Sequence, residues 1–513
     1  MKKKLKRIAT SRAVIVWFLI AVQLFLIFVI AVQFTRFYYV YSAATAVLDF
    51  IFILYLMKNS RSMSYKLCWI VVAFTFPVFG IALYLIFGGN RASKSALGKM
   101  RVMHEAARAG VVNESCALAE LREECPEAAR QAAYIKNTSF CPPVRHCETR
   151  YFESGEALFP VLLEELRKAK KYIFLEYFII GEGEMWDAVH EILLEKVAEG
   201  VDVRVIYDDI GCWLSLPGDF DERLRREGID CRIFQRFVPF LFARQNNRDH
   251  RKICVIDGVT SFTGGINIAD EYINTEKRFG YWKDTAVMVR GEASWSYAVM
   301  FLTMWDYLGG KKTVPESDYT AYAPDPAAYA GIDGEGYVQP YTDSPLDGEP
   351  VGENVYLGLI ENAKRYVWIT TPYLIVDERM EQALIHAVRC GVDVRIVTPG
   401  VPDKVLINQT TKSYYPNLIA NGIKIYEYKP GFVHAKGFLV DDEYAVVGSV
   451  NLDYRSLYLH FECGLWMYRP DCLGEIRRDF TELIRASEPV EAKKPRLLTQ
   501  LFRASLDLIA PLL

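Results

Sequence analysis

His250 and Lys252 stand two residues apart with Asp257 five residues further on, and the spacing recurs as His434, Lys436 and Asp441. Each copy runs into an apolar stretch, Ile253-Cys254-Val255-Ile256 or Phe438-Leu439-Val440. A small-residue turn ending in an amide follows: Gly264-Gly265-Ile266-Asn267 and Gly448-Ser449-Val450-Asn451. One His-x-Lys pair is common noise, but two with the same sequel are not chance. Brought to one point, these groups can carry out phosphodiester transfer. One neutral imidazole attacks phosphorus to give a covalent phosphohistidine. The other protonates the departing alcohol and deprotonates the incoming one. Lys252 and Lys436 hold the non-bridging oxygens where charge accumulates, with Asn267, Asn451 and Ser449 as further substrate contacts. No carboxylate cluster with metal-ligand spacing accompanies the motifs, so no metal or other cofactor is expected.

On a strand, side chains at i and i+2 share a face. His250 and Lys252 are therefore expected to point together, as are His434 and Lys436, with Arg251 and Ala435 turned away. The surroundings repeat too. Ala169-Lys170-Lys171-Tyr172-Ile173-Phe174-Leu175-Glu176 and Gly200-Val201-Asp202-Val203-Arg204-Val205 match Ala363-Lys364-Arg365-Tyr366-Val367-Trp368-Ile369-Thr370 and Gly391-Val392-Asp393-Val394-Arg395-Ile396. Two copies at so long a period mean a duplicated domain, not a solenoid. Strand-like runs alternate with helix-period segments such as 185–199 and 378–389, which predicts an α/β fold with mixed sheets flanked by helices.

A membrane-anchoring region is expected over 1–90 and a helical connector over 91–145. The first half then covers 146–313, a Pro/Asp/Gly/Tyr-rich linker 314–352, the second half 353–490 and an amphipathic tail 491–513. The first twelve residues hold six positive charges (Lys2, Lys3, Lys4, Lys6, Arg7, Arg12) and no acidic ones. Three apolar stretches follow, 13–34, 37–57 and 67–87, each near the ~20 residues that cross a bilayer. The first is too long for a signal-peptide core and no cleavage site closes it. Two or three transmembrane helices are expected, the first two joined tightly through Thr35-Arg36. Pro77 and Gly80 can kink the third stretch, and Asp49 must face a partner helix. Positive residues flank both ends of the region, so charge alone does not settle its sidedness.

Over all 513 residues the net charge of −3 gives no sign of a nucleic-acid binder. Eleven cysteines without CxxC pairs read as reduced thiols. The run Phe237-Val238-Pro239-Phe240-Leu241-Phe242 reads either as core or as an acyl-chain groove. The tail stripe of Leu497, Leu498, Leu501 and Phe502 fits either domain packing or a membrane interface. His104, His146, His190, His386 and His460 lack partners at useful spacing and are expected to be surface or packing residues.

The duplicated motif resembles the phospholipase D superfamily. The stretch Asn246-Asn247-Arg248-Asp249-His250-Arg251-Lys252, the run Gly448 to Leu457 and the hydrophobic N-terminus resemble its bacterial cardiolipin synthase branch, from about residue 60 to the C-terminus. Residues 1–57 look like an addition. The resemblance implies two phospholipase D-like halves packed across a pseudo-two-fold, with a carboxylate behind each histidine. Glu462, 11 residues after Asn451, stands where the family places one. The first half has no glutamate there, and Asp284, 17 residues after Asn267, is the nearest equivalent. Family convention counts Asp257 and Asp441 with the catalytic set, whereas as strand-ending residues they read as acceptors for backbone N–H groups. The implied activity transfers a phosphatidyl group between two phosphatidylglycerol molecules, giving cardiolipin and glycerol. The expected setting is a bacterial cell membrane, multi-pass, with lipid and not nucleic acid as partner. A phospholipase D-type hydrolase, or a transferase with a different alcohol, stays open.

Overall fold

The computed structural model describes residues 12–33, 35–59, 63–88, 94–111, 116–237, 246–309, 315–491 and 497–512. Residues 238–242 of the expected acyl-groove run lie outside them. Residues 1–91, 237–246 and 504–513 form one unit, and 92–236 with 247–503 another.

In the larger unit the β-branched and aromatic runs of the repeat form strands. Nine belong to the first half: β1 (Glu148–Phe152), β2 (Tyr172–Tyr177), β3 (Asp202–Asp208), β4 (Asp230–Phe234), β5 (Arg248–Asp249), β6 (Lys252–Ile256), β7 (Thr260–Gly264), β8 (Tyr281–Lys283) and β9 (Ala286–Arg290). Seven of these build one sheet in the order β1-β9-β7-β6-β2-β3-β4. β2, β3 and β4 run parallel and the other neighbours antiparallel. The second half supplies β10 (Tyr337–Asp343), β11 (Tyr366–Thr370), β12 (Asp393–Pro399), β13 (Lys424–Tyr428), β14 (Gly431–Val433), β15 (Gly437–Val440), β16 (Tyr444–Gly448), β17 (His460–Tyr468) and β18 (Ser487–Pro489). Its order, β10-β17-β16-β15-β11-β12-β13 with β18 added at the edge, copies that of the first half. β2 and β6 are buried throughout, as strands covered on both faces must be.

One apolar cluster draws on both halves: Phe174, Ile253, Val255 and Val287 from the first, Leu439, Val447, Leu465 and Met467 from the second. The helix Ala293–Leu308 runs through it with buried residues on every side, as a helix that is apolar all round requires. Its Phe301 ring stacks on Phe174 at 4.5 Å, and its Tyr297 hydroxyl donates to the Gly464 carbonyl at 3.0 Å. That helix therefore bridges β2 and β17. All eleven cysteines are free thiols.

In the smaller unit, two helices, Arg12–Gln33 and Thr35–Asn59, are separated by a single residue. Among the described residues one helix, Phe37–Lys58, is long and apolar enough to cross a membrane, and Ile20–Val29 and Met63–Thr75 are shorter apolar helices. Asp49 is buried, whereas its neighbours Phe50 and Ile51 are exposed.

The third apolar stretch is not the single span its length suggested. Its helix stops at Thr75, turns through Val78 at φ 65°, and resumes as Phe79–Leu83 and a π turn, Tyr84–Gly88. A Cβ on Gly80 would lie 2.6 Å from the Val72 carbonyl oxygen. In a straight helix those residues are about 12 Å apart along the axis. The two limbs therefore double back, and the Tyr65 hydroxyl donates to the Gly88 carbonyl at 2.6 Å where their far ends meet. The Gln23 amide donates to the Pro77 carbonyl at 3.0 Å, which ties the tip of this hairpin to the middle of the first helix.

Candidate active site

β5 does not join its own half's sheet. It pairs in parallel with β17, Asp249 opposite Phe461, and β14 pairs likewise with β8, Val433 opposite Lys283. The His250 N–H donates to the Phe461 carbonyl at 2.9 Å and the His434 N–H to the Lys283 carbonyl at 2.7 Å. The chain then returns to its own sheet, where Lys252 opens β6 opposite Tyr177 and Gly437 opens β15 opposite Thr370. Each His-x-Lys motif thus lies on a crossover between halves, not on a regular strand as expected. The extended chain still separates alternate side chains. Arg251 turns into a buried ion pair with Glu176, and its Nε donates to Asp249 at 3.2 Å.

The crossovers bring the motifs together. Burial, then the charges of Lys252 and Lys436 and then His434, hold the His250 imidazole well below its ordinary pKa. Burial and Lys436 lower that of His434 to about 4. Both rings are therefore neutral near pH 7. Burial also lowers Lys252 to about 8 and Lys436 to about 7.

Each histidine is backed by a carboxylate from the opposite half. His250 Nδ1 lies 3.0 Å from both oxygens of Glu462, and His434 Nδ1 lies 2.6 Å from Asp284 Oδ2. Burial pushes the Asp284 carboxyl up, but Lys436 and His434 outweigh it and hold it below the usual range. With Nδ1–H given to a carboxylate, Nε2 keeps its lone pair. The Lys436 ammonium also stands 2.8 Å from His434 Nδ1.

Ser449, expected as a substrate contact, turns its side chain toward Glu462. Its buried hydroxyl donates to Glu462 Oε2 and accepts from the Cys463 N–H at 3.0 Å, so it fixes the carboxylate that orients His250. Asn267 accepts from the Ile179 N–H at 3.0 Å and donates to the Tyr272 hydroxyl at 2.6 Å, which commits most of its amide to the loop around it. Asn451 is also buried, and its Oδ1 has no hydrogen-bond partner among the described residues.

Asp257 and Asp441, counted with the catalytic set, lie at the far ends of their strands. Asp257 accepts from the N–H groups of Lys170, Lys171 and Tyr172 at 2.7–2.9 Å. Asp441 accepts from those of Lys364, Arg365 and Tyr366 at 2.6–2.8 Å. Each carboxylate thus caps the start of the neighbouring strand, β2 or β11, which is where the residue reading placed them.

Sequence reasoning missed three features. His460, expected to be a packing residue, has its ring centroid 5.5 Å from that of His250 and its Nδ1 3.7 Å from Glu462 Oε1. The signal was present: residues 460 and 462 share a face of β17. Aromatic rings from both halves, Tyr272, Trp282 and Phe432, surround His434 at 5.4–5.8 Å. The Glu176–Arg251–Asp249 network has no counterpart in the second half, where Thr370 and Ala435 stand at the matching positions. Among the described residues, His250, His460 and Glu462 are the one set bringing three possible metal-ligand atoms within 4.8 Å. Two of the three are already hydrogen-bonded to each other, and Lys252 and Lys436 add positive charge nearby, so the set is poorly suited to a cation.

A duplicated α/β fold with a histidine from each crossover, backed by a carboxylate of the other half, defines a phospholipase D-type site. A family model described as cardiolipin synthase, phospholipase D-like domain, matches residues 162–291 and 356–484. A second, described as phospholipase D-nuclease N-terminal, matches 47–89 and so begins inside the stretch read as an addition. A cardiolipin synthase of Geobacillus sp. strain WCH70 is 35% identical over 438 residues, 84% of this chain and 85% of the relative. An uncharacterized protein of Streptococcus mutans is 43% identical over 468 residues, 90% of this chain and 99% of the relative. The crystal structure of a Haemophilus influenzae phosphatidylserine synthase shares the fold, with a TM-score of 0.56 at 16% identity over 75% of this chain and all of that one. The chain belongs to the bacterial cardiolipin synthase family of the phospholipase D superfamily, and is a phosphatidyltransferase of the phospholipase D type.

Proposed function

We propose that this enzyme transfers a phosphatidyl group from one phosphatidylglycerol to a second, giving cardiolipin and free glycerol. The observation that carries the reading is the reciprocal pairing of His250 with Glu462 and His434 with Asp284. It leaves two neutral imidazoles, each with Nε2 available, at one lysine-lined point. In the first step one Nε2 attacks phosphorus and the bond from phosphorus to the glycerol oxygen breaks. The other histidine, which takes up a proton once the negative charge of the bound phosphodiester offsets Lys252 and Lys436, gives that proton to the glycerol oxygen. In the second step that histidine takes the proton from a hydroxyl of the next phosphatidylglycerol. The alkoxide attacks phosphorus, the phosphorus–nitrogen bond breaks, and cardiolipin leaves. Lys252 and Lys436 carry the charge that builds on the non-bridging oxygens, so the reading needs no metal ion. Phosphodiester is exchanged for phosphodiester, which needs no nucleotide.

Water must be kept from the phosphohistidine. Trp213 and Leu214 (44% and 87% exposed) follow β3, and Val405 and Leu406 (73% and 45%) follow β12, the matching strand of the second half. Large apolar residues exposed after equivalent strands of both halves suit a mouth that opens on lipid. The experiment is to give the purified protein phosphatidylglycerol alone and measure cardiolipin and glycerol. Equal amounts of the two support the reading. Phosphatidic acid without cardiolipin would make the enzyme a hydrolase.

The anchor is read as two spans and a re-entrant hairpin. The 13-residue helix Met63–Thr75 is about 20 Å long, short of the ~30 Å apolar core of a bilayer. Its tip at Pro77 meets Gln23, at the middle of the first helix, where a donor for a freed carbonyl is needed. Two spans and a hairpin place residues 1–12, the 58–66 connector and residue 91 onward on one side. Every basic cluster of the region falls there, leaving Arg36 on the other, so that side is cytoplasmic.

A further inference from the structure

We propose that His460 is the headgroup-hydroxyl contact of this site, holding a polyol such as glycerol beside His250. The proposal rests on the phosphatidyl-transfer reading above. His460 and Glu462 share the face of β17 that is turned to His250. The His460 side chain is 10% exposed, and neither ring nitrogen makes a hydrogen bond among the described residues. A buried polar ring without a hydrogen bond is costly unless a ligand completes it. Nδ1 stands 3.7 Å from Glu462 Oε1, beyond hydrogen-bond reach, and the ring centroid 5.5 Å from that of His250.

The chemistry of the ring selects its ligand. Burial, followed by the Glu462 interaction that opposes it, leaves the imidazole pKa lowered to about 3. At neutral pH the ring is uncharged, with one N–H donor and one nitrogen acceptor. Phosphate oxygens, which only accept, are better served by Lys252 and Lys436. A hydroxyl both donates and accepts, and so matches a neutral imidazole. The two alcohols of the reaction, the glycerol that leaves and the phosphatidylglycerol that attacks, both carry a hydroxyl beyond the reacting oxygen. Water, or an alcohol with a single hydroxyl, has no second hydroxyl to offer His460 while its oxygen sits at phosphorus. Contact at His460 would therefore favour polyol over water as the group that resolves the phosphohistidine.

The test uses the full-length enzyme in detergent micelles of phosphatidylglycerol. Labelled glycerol is followed into phosphatidylglycerol, 1-propanol into phosphatidylpropanol, and water into phosphatidic acid. His460→Phe keeps the ring's bulk and removes both nitrogens. His460→Asn restores one donor and one acceptor. We expect wild type to prefer glycerol over 1-propanol. His460→Phe should lose about tenfold in glycerol transfer, the usual scale of a lost buried hydrogen bond, with 1-propanol transfer and hydrolysis little changed. His460→Asn should recover part of the preference. An unchanged glycerol-to-propanol ratio in His460→Phe overturns the proposal. An equal fall with all three acceptors also overturns it, since that marks a packing role. Glycerol exchange without cardiolipin formation in wild type would sink the cardiolipin reading and leave the His460 contact standing.

Discussion

Asp284 and Glu462 occupy the same place in their halves although the sequence spaces them differently. Asp284 follows Lys283, whose carbonyl receives the His434 N–H, and Glu462 follows Phe461, whose carbonyl receives the His250 N–H. Each carboxylate is therefore one residue beyond the point where the other half's histidine docks. Both halves place a helical turn three residues after the asparagine, Asp270–Ile273 and Tyr454–Tyr458, and the 17-residue and 11-residue spacings differ because residues 274–280 join that turn to β8 whereas only Leu459 precedes β17.

Breaking either pair should cost the chemistry and spare the fold. Asp284→Asn and Glu462→Gln keep shape but lose the charge that sets the Nδ1–H tautomer. Each should lower kcat on the order of 10²- to 10⁴-fold, with KM little changed. Ser449→Ala, which frees one oxygen of Glu462, should give a smaller loss. Steady-state kinetics on phosphatidylglycerol micelles, with circular dichroism as the control for folding, decide this. Near wild-type turnover in Asp284→Asn would remove the equivalence argued above.

The pH profile follows from the lowered basic groups. The mechanism needs a neutral imidazole to attack, and His434 titrates at about 4. It also needs charged lysines, and Lys436 and Lys252 titrate at about 7 and 8. The kcat, which reports the enzyme–substrate complex, should be bell-shaped, rising as the attacking imidazole loses its proton and falling as the proton-donating histidine and the lysines lose theirs. Lys436→Arg, which stays charged, should move the alkaline limb upward even if the rate at neutral pH drops. The sign for stability is separate. Between about 4 and the ordinary 6.5, His434 binds more protons unfolded than folded, so its contribution to stability rises with pH across that window. An alkaline limb that stays in place in Lys436→Arg would show that another group sets it.

Asp257 and Asp441 should behave as structural residues. Each accepts three backbone N–H groups at the start of a sheet strand. Asp257→Ala should destabilise by about 1–2 kcal/mol, the scale of a lost cap, and lower the melting temperature by a few degrees. The kcat of the folded protein should stay within about threefold of wild type, since a residue that only caps a strand makes no contact specific to the transition state. A normal melting curve with kcat lost would return these aspartates to the catalytic set.

The motifs and the repeat were legible because they are local: alternate residues share a face, and a duplication shows in any two aligned stretches. Glu462 and Asp284 were reached only through the family resemblance, which implies a carboxylate behind each histidine, and it is the three-dimensional pairing of β8 with β14 and of β5 with β17 that makes them equivalent. His460 was discounted because the ring beside it, His250, lies 210 residues away in the sequence. Ser449 looked like a ligand because its motif ends in one, but its hydroxyl is turned back to Glu462 within its own half. The third apolar stretch misled for a different reason. Hydropathy counts apolar residues and is blind to direction, so a 21-residue stretch reads as a span even when the chain reverses at Pro77.

That reversal gives the last prediction. If residues 63–88 enter and leave on one face, the N-terminus and the chain beyond residue 91 share a side, and Arg36 lies on the other. Tyr65 donating to the Gly88 carbonyl joins the hairpin's two ends, and Gln23 donates to its tip at Pro77. Three full spans would instead separate Lys4 from Ser95 across the membrane. Single cysteines at Lys4, Arg36 and Ser95 can be probed with a membrane-impermeant maleimide in right-side-out vesicles, before and after permeabilisation. Only Arg36→Cys should label in sealed vesicles, and the other two only once detergent admits the reagent. The native thiols set the background and are subtracted with the unsubstituted protein. If Ser95→Cys labels from outside while Lys4→Cys does not, the third stretch crosses the bilayer. Replacing Gln23 with Leu adds a second measurement. It removes the donor to Pro77 and should destabilise the anchor without changing turnover in micelles, because the site's histidines, lysines and carboxylates all lie beyond position 249. A loss of turnover in a well-folded Gln23→Leu protein would show that the hairpin helps to hold the lipid.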